Sequence, residues 1–159
     1  YYSNDLIGTQ IGGALKNIYA IAAGIAEGLN LGENAKSALI SRSFAEMTRY
    51  AKKFKADKNT LFGLSGLGDL ILTCSSKNSR NTQFGIKLAS SKYDNFLDLL
   101  KSQEVTEGYY TVKAVYNISQ KKNIDMPIME SVYNILYKQH DLKEELSNLL
   151  SRPITEEKI

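Results

Sequence analysis

Apolar residues recur at Ile7, Ile11, Ala14, Leu15, Ile18, Ala22, Ile25 and Leu29, the three-and-four spacing of one helix face. This pattern predicts a first helix that is capped by Ser3, Asn4 or Asp5 and ends near Asn30. Between residues 6 and 26 the one charged side chain is Lys16, which at about 100° per residue points away from the apolar stripe. Its own face carries Thr9, Gly12, Gly13, Ala20, Ala23 and Gly24 where a solvated helix would carry Glu, Lys, Gln and Arg. Small residues there predict close packing, so both faces of the helix are expected to be covered. An ammonium on a covered helix needs an anionic partner or sheds its proton, and that marks Lys16 as a site residue on physical grounds.

The helical period continues. Ala35, Leu39, Ile40, Phe44, Met47, Ala51 and Phe54 predict a second helix over 34–54, and Asp57 starts a short third one through Phe62. A glycine-rich stretch, Gly63-Leu64-Ser65-Gly66-Leu67-Gly68-Asp69, leads into Leu70–Cys74. Residues 81–90 predict a helix with Phe84 and Leu88 inward, followed by a loop over 90–94 and a helical turn or two over 96–101. Val112, Val115 and Ile118 place a helix over 108–121. Pro127 suits the first position of a helix running to about Lys138, and Asp141-x-x-Glu144 opens a last one to Leu150. Arg152-Pro153 closes the pattern. No window alternates with period two, and there are no hairpin dipeptides, so the 159 residues read as one all-α domain built on a buried first helix.

Composition narrows the function classes. A net charge of +3 with interspersed signs does not indicate a nucleic-acid partner, and Lys52-Lys53-Phe54-Lys55 reads as a solvated helix end. The single cysteine, Cys74, rules out an internal disulfide and fits a reducing cytoplasm. The apolar 6–26 stretch does not read as a membrane span, because Lys16 at its centre would cost roughly 2.5–3.5 kcal/mol to insert.

Three places could carry chemistry besides Lys16. Gly63, Gly66 and Gly68 have the wrong order and context for a dinucleotide loop. They make either a tight turn with close helix packing or a device that brings Asp69 to a ligand or another backbone. Asp69 is the one charge between Thr60 and Cys74, and pairing it with Lys16 would relieve the desolvation of both. Ser79-Arg80-Asn81 stands at a helix start, where amides and a guanidinium suit a phosphate-sized anion, although an ordinary cap would look the same. Val105-Thr106-Glu107-Gly108 precedes the next helix as a capping turn. His140 reads as a surface residue, and no His, Cys or carboxylate group has metal-ligand spacing.

Taken together, 12–28 (GGALKNIYAIAAGIAEG), 63–74 (GLSGLGDLILTC), Asp5-Leu6-Ile7-Gly8, Leu31-Gly32-Glu33-Asn34-Ala35-Lys36, Ser79-Arg80-Asn81, Glu107-Gly108, Met126-Pro127-Ile128 and Arg152-Pro153 resemble, in order, one family. It is the C-terminal, substrate-binding domain of bacterial NAD(P)-dependent glycerol-3-phosphate dehydrogenase. The resemblance implies a fold like the C-terminal domain of 6-phosphogluconate dehydrogenase. It also implies interconversion of dihydroxyacetone phosphate and glycerol 3-phosphate in the cytoplasm, with NADP or NAD, for phospholipid synthesis. Lys16 matches the proton-transferring lysine, Asn17 and Thr73 match polar residues beside the reacting centre, and Asp69 matches the carboxylate orienting lysine and substrate. Ser79, Arg80 and Asn81 match substrate-binding positions, with Arg80 also near the cofactor phosphates. Val105 and Glu107 match the cofactor side. The family's nucleotide-binding Rossmann half is absent from these residues, so a separate domain that does not turn over alone is expected, with room for a dimer contact. Two other readings stay open: a related dehydrogenase domain for another small substrate, or a non-enzymatic all-α interaction module.

Overall fold

A carboxylate starts the first helix. Asp5 Oδ1 accepts from the Gly8 amide at 2.9 Å, and Oδ2 accepts from the Asp57 amide at 2.8 Å. The Gly8 amide holds this carboxyl below the usual carboxylate range. In the computed structural model, which describes residues 3–90 and 106–152, helix α1 spans Leu6–Gly28. From Leu15 to Ala26 nearly every side chain is buried on all sides, the signature of a helix inside a core.

Around this axis stand the other helices, all but the last of them packed directly on it. They are α2 (Glu33–Lys53), α3 (Lys58–Phe62), a π-helical turn (Leu64–Gly68), α4 (Asp69–Ser75), α5 (Arg80–Ser90), α6 (Glu107–Lys122), α7 (Pro127–Lys138) and α8 (Leu142–Leu150). Among the described residues there is no strand, and no helix is long and apolar enough to cross a membrane. The expected helices over 34–54, 81–90, 108–121 and 127–138 therefore form within a residue or so of their expected ends. The loop at 91–94, the turns at 96–101 and Pro153 lie outside the described residues.

The covering of α1 is less complete than its pattern implies. Ile7 is 49% exposed, and Leu6 and Thr9 are exposed as well. The reason is where the neighbours cross: α5 runs along the Gly24–Gly28 end, while α3 and the π-helical turn meet α1 at Gly8 and Gly12. Beyond those contacts the first two turns face outward.

Two carboxylates in the core went unforeseen. Glu46, fully buried on α2, accepts from the Ile128 amide at 2.6 Å, the Met129 amide at 3.2 Å and the Tyr19 hydroxyl at 3.3 Å. It thereby caps α7, whose own N-cap residue Met126 makes no side-chain bond. Burial raises its pKa from 4.5 to about 7 against the opposing pull of those amides. Glu145 on α8 is buried too, accepting from Asn134 Nδ2 at 3.1 Å and standing 2.7 Å from His140 Nδ1. His140 itself is on the surface, as its neighbours suggested.

Candidate active site

The glycine-rich segment resolves into a π-helical turn in which Gly68 N–H donates to Gly63 O at 3.2 Å, the wide spacing of that helix type. Gly66 serves close packing, as does Gly12 on the facing helix. A Cβ on Gly66 would come within 2.6 Å of the Leu61 main chain, and one on Gly12 would overlap the Ser65 carbonyl. The turn also delivers Asp69 to α1. Asp69 Oδ2 lies 2.5 Å from Lys16 Nζ, with the two side chains 31% and 24% exposed. The segment is thus a tight turn with close helix packing, and the expected pairing of Asp69 with Lys16 forms, so Lys16 has its anionic partner. Remaining partly open, the pair keeps contact with solvent and with anything that binds beside it.

Thr73 sits one turn along α4 from Asp69. Its hydroxyl donates to the Asp69 carbonyl at 2.6 Å, and its own carbonyl accepts from Thr82 Oγ1 at 2.9 Å, which ties α4 to α5. Ser79 is the ordinary cap of α5, its Oγ accepting from the Thr82 amide at 3.3 Å. The helix starts at Arg80, so Asn81 falls inside the first turn and points into the protein rather than capping it.

Asn81 is buried between α1 and α6. Its Nδ2 donates to Asn17 Oδ1 at 3.0 Å, and its Oδ1 accepts from the Gly108 amide at 3.0 Å. Asn17 Nδ2 reaches Glu107 Oε2 at 3.4 Å, and Glu107 Oε1 stands 3.7 Å from the Arg80 guanidinium. Arg80 and Glu107 are 82% and 72% exposed, so this outer pair is a loose, water-facing contact. Val105 lies outside the described residues.

These contacts link Lys16 and Asn17 from α1 with Asp69 and Thr73 from α4, Arg80 and Asn81 from α5, and Glu107 from α6 along one edge of the domain. Sequence reasoning missed Gly108 as a participant; its signal was a glycine directly after Glu107 at a helix start, where an amide can approach another chain closely. Chemically the edge offers an ammonium, a carboxamide and a loosely paired guanidinium to an anionic ligand. For a dinucleotide it fits only one side: the exposed Arg80 suits a phosphate, and Glu107 stands next to it. Among the described residues no group of three or more His, Cys, Asp or Glu could hold a metal ion.

Known proteins are similar to this chain in sequence and in fold. The enzyme named glycerol-3-phosphate dehydrogenase [NAD(P)+] in Staphylococcus carnosus is 45% identical over 153 residues, covering 96% of this chain and 46% of its own length. Its namesake in Colwellia psychrerythraea is 46% identical over 152 residues, covering 96% and 45%. Among solved structures, the glycerol-3-phosphate dehydrogenase of Coxiella burnetii superposes with a TM-score of 0.88 at 40% identity, over 96% of this chain and 46% of that one. The glycerol-3-phosphate dehydrogenase of Saccharomyces cerevisiae gives 0.79 at 30% identity, over 93% and 43%. The chain thus spans less than half the length of these relatives. A family model described as the C-terminus of NAD-dependent glycerol-3-phosphate dehydrogenase matches residues 5–147. The chain belongs to that family.

Proposed function

We propose that this chain is the substrate-binding part of an enzyme that reduces dihydroxyacetone phosphate to sn-glycerol 3-phosphate, and runs the reverse reaction, with NADPH or NADH. The observation that carries the reading is the Lys16–Asp69 pair, 2.5 Å apart and partly open, at the edge that also holds Asn17 and Arg80. It is supported by family membership and by relatives that carry that activity in their names.

When bound, a reduced nicotinamide supplies the hydride that the ketone carbon takes up. The carbonyl oxygen gains negative charge as the carbon–oxygen double bond becomes single. Lys16 Nζ gives that oxygen a proton, leaving a neutral amine that regains one from water at its exposed end. Asp69 holds the ammonium in place beforehand and is fixed in turn by its position at the start of α4. Arg80 takes the phosphate of the substrate, for which its exposed guanidinium is free to turn away from Glu107. The nucleotide is held mainly by a separate domain, with Arg80 and Glu107 as this chain's edge of the cofactor site. By the same reading the enzyme is cytoplasmic and feeds phospholipid synthesis.

The test is an assay of the full-length protein with dihydroxyacetone phosphate and either cofactor. Turnover with at least one is expected; none with either sinks the proposal. Preference for a substrate without a phosphate would point instead to a related dehydrogenase.

A further inference from the structure

The orientations of Asn17 and Asn81 are dictated by partners that have no choice of role. A backbone N–H can only donate, and the Gly108 amide stands 3.0 Å from Asn81 Oδ1. That puts the Asn81 NH2 group on the other side, 3.0 Å from Asn17 Oδ1. The Asn17 NH2 group then faces the Gly13 carbonyl and Glu107 Oε2, two acceptors, each at 3.4 Å. Reversing both amides would set NH2 against N–H at Gly108 and oxygen against oxygen at Gly13 and Glu107. The Asn17–Asn81 bond would survive with its direction reversed, but both ends of the chain would turn from attraction to repulsion, in a region where Asn81 is buried and the screening is weak.

We infer that Gly108, acting through Asn81, is a positioning residue that fixes Asn17 with its amide hydrogens toward the Glu107 edge, so that the reacting oxygen of the substrate meets a second donor beside Lys16. The inference rests on the reductase reading above and adds what sets the polarity of its site. The two bonds from Asn17 Nδ2 are long, at 3.4 Å, so a ligand oxygen at an ordinary distance improves on either one. The gain is largest when that oxygen carries charge, because hydrogen bonds to an ionised acceptor are about twice as strong. A donor aimed before the reaction starts thus favours the alkoxide over the ketone.

Only glycine can occupy position 108. A Cβ there would lie 2.7 Å from the Asn17 carbonyl oxygen, 2.7 Å from Asn81 Oδ1 and 2.8 Å from Ile21 Cδ1. The first of these is main chain of the central helix and cannot yield. The amide of residue 108 reaches Asn81 because no side chain stands between α6 and α1.

The experiment uses the full-length protein and its Asn81→Asp variant. Aspartate still accepts from the Gly108 amide but offers Asn17 an acceptor in place of a donor, which drives the Asn17 amide to reverse. We expect kcat to fall about 100-fold, the usual worth of one donor to a developing oxyanion, with KM for dihydroxyacetone phosphate changed less than about threefold. Neutron diffraction of deuterated wild-type crystals should place the Asn17 Nδ2 deuterons toward Glu107, and those of the variant toward residue 81. A wild-type map with Asn17 Oδ1 toward Glu107 overturns the inference, whatever the kinetics. So does a reversed amide with kcat intact, or a loss carried by KM alone, which would make Asn81 a direct substrate contact. If the variant does not fold, the wild-type map alone decides. Absence of turnover by the wild-type enzyme would sink the reductase reading and leave the map as an independent result.

Discussion

Gly24 and Gly85 bring α1 and α5 together backbone to backbone: a Cβ on Gly24 would stand 3.0 Å from the Gly85 Cα, and one on Gly85 would stand 3.0 Å from the Gly24 carbonyl carbon. Nothing larger fits, because the other near neighbours are main-chain atoms of Thr82, Ile21 and Ile25. This contact sets the height at which α5 presents Arg80 and Asn81 to α1. Gly85→Ala should therefore destabilise the domain by about 1–3 kcal/mol through overpacking. A denaturant midpoint unchanged from wild type would show that the helices separate at no cost.

Under the proposed mechanism, variants of Lys16 separate proton transfer from charge. In the full-length enzyme Lys16→Met should lower kcat by about 10²–10⁴-fold. Lys16→Arg keeps a cation facing Asp69, yet a guanidinium does not release its proton near neutral pH, so kcat should stay low. Recovery of turnover in the arginine variant would show that the position needs only positive charge.

Arg80 should reveal a role in recognition without one in stability. Its side chain is 82% exposed and its contact with Glu107 is loose, so Arg80→Met should move the unfolding free energy by no more than about 0.5 kcal/mol. The same change should raise KM for the phosphate-bearing substrate by about 10–100-fold, the worth of a charge-assisted hydrogen bond. Unaltered KM would remove Arg80 from the substrate site.

Glu46 gives the fold a pH dependence of defined sign. Its native pKa, about 7, lies above the value of 4.5 expected when unfolded, so between those limits the native state binds the extra proton. Its contribution is fully present below about pH 4.5 and is lost as pH rises through about 7, on the order of 3 kcal/mol in all. The difference in stability between wild type and Glu46→Gln should shift in that direction across the window. A difference independent of pH would show that the carboxyl does not titrate there.

Cys74 is fully buried, and burial pushes its thiol up to about 12. In the native protein it should react with a disulfide reagent at pH 8 roughly 1,000-fold more slowly than in denaturant, since the thiolate is the reactive form. Prompt reaction of the native protein would mean that α4 opens readily.

The helices were legible because their signals are local. Asp5, Asp57, Pro127 and Asp141 mark starts, and Asn30 and Asn123 end helices in the left-handed conformation that asparagine tolerates. Lys55 and Gln139 adopt the same conformation without such a signal. Lys16 and Asp69 were legible as isolated charges in apolar runs, and the structure joins them. The middle of the network was not. Asn17, Asn81 and Gly108 are separated by 64 and 27 positions, and only the packing of α1, α5 and α6 makes them neighbours. Glu46 was hidden for another reason. In sequence it looks like any surface glutamate of a helix, and its burial depends on the amides of Ile128 and Met129, distant residues that no helical period reveals.

The burial of α1 divides the site by the cost of change. Lys16 is flanked by the fully buried Leu15, Ile18 and Tyr19, so its backbone opens only when the core does. Any substitution that loosens the core therefore loosens the Lys16–Asp69 pair with it. Arg80 and Glu107 project from the rim and are tied to little else. Change at the rim therefore costs the fold little, while the position of Lys16 is bound to the requirement to fold.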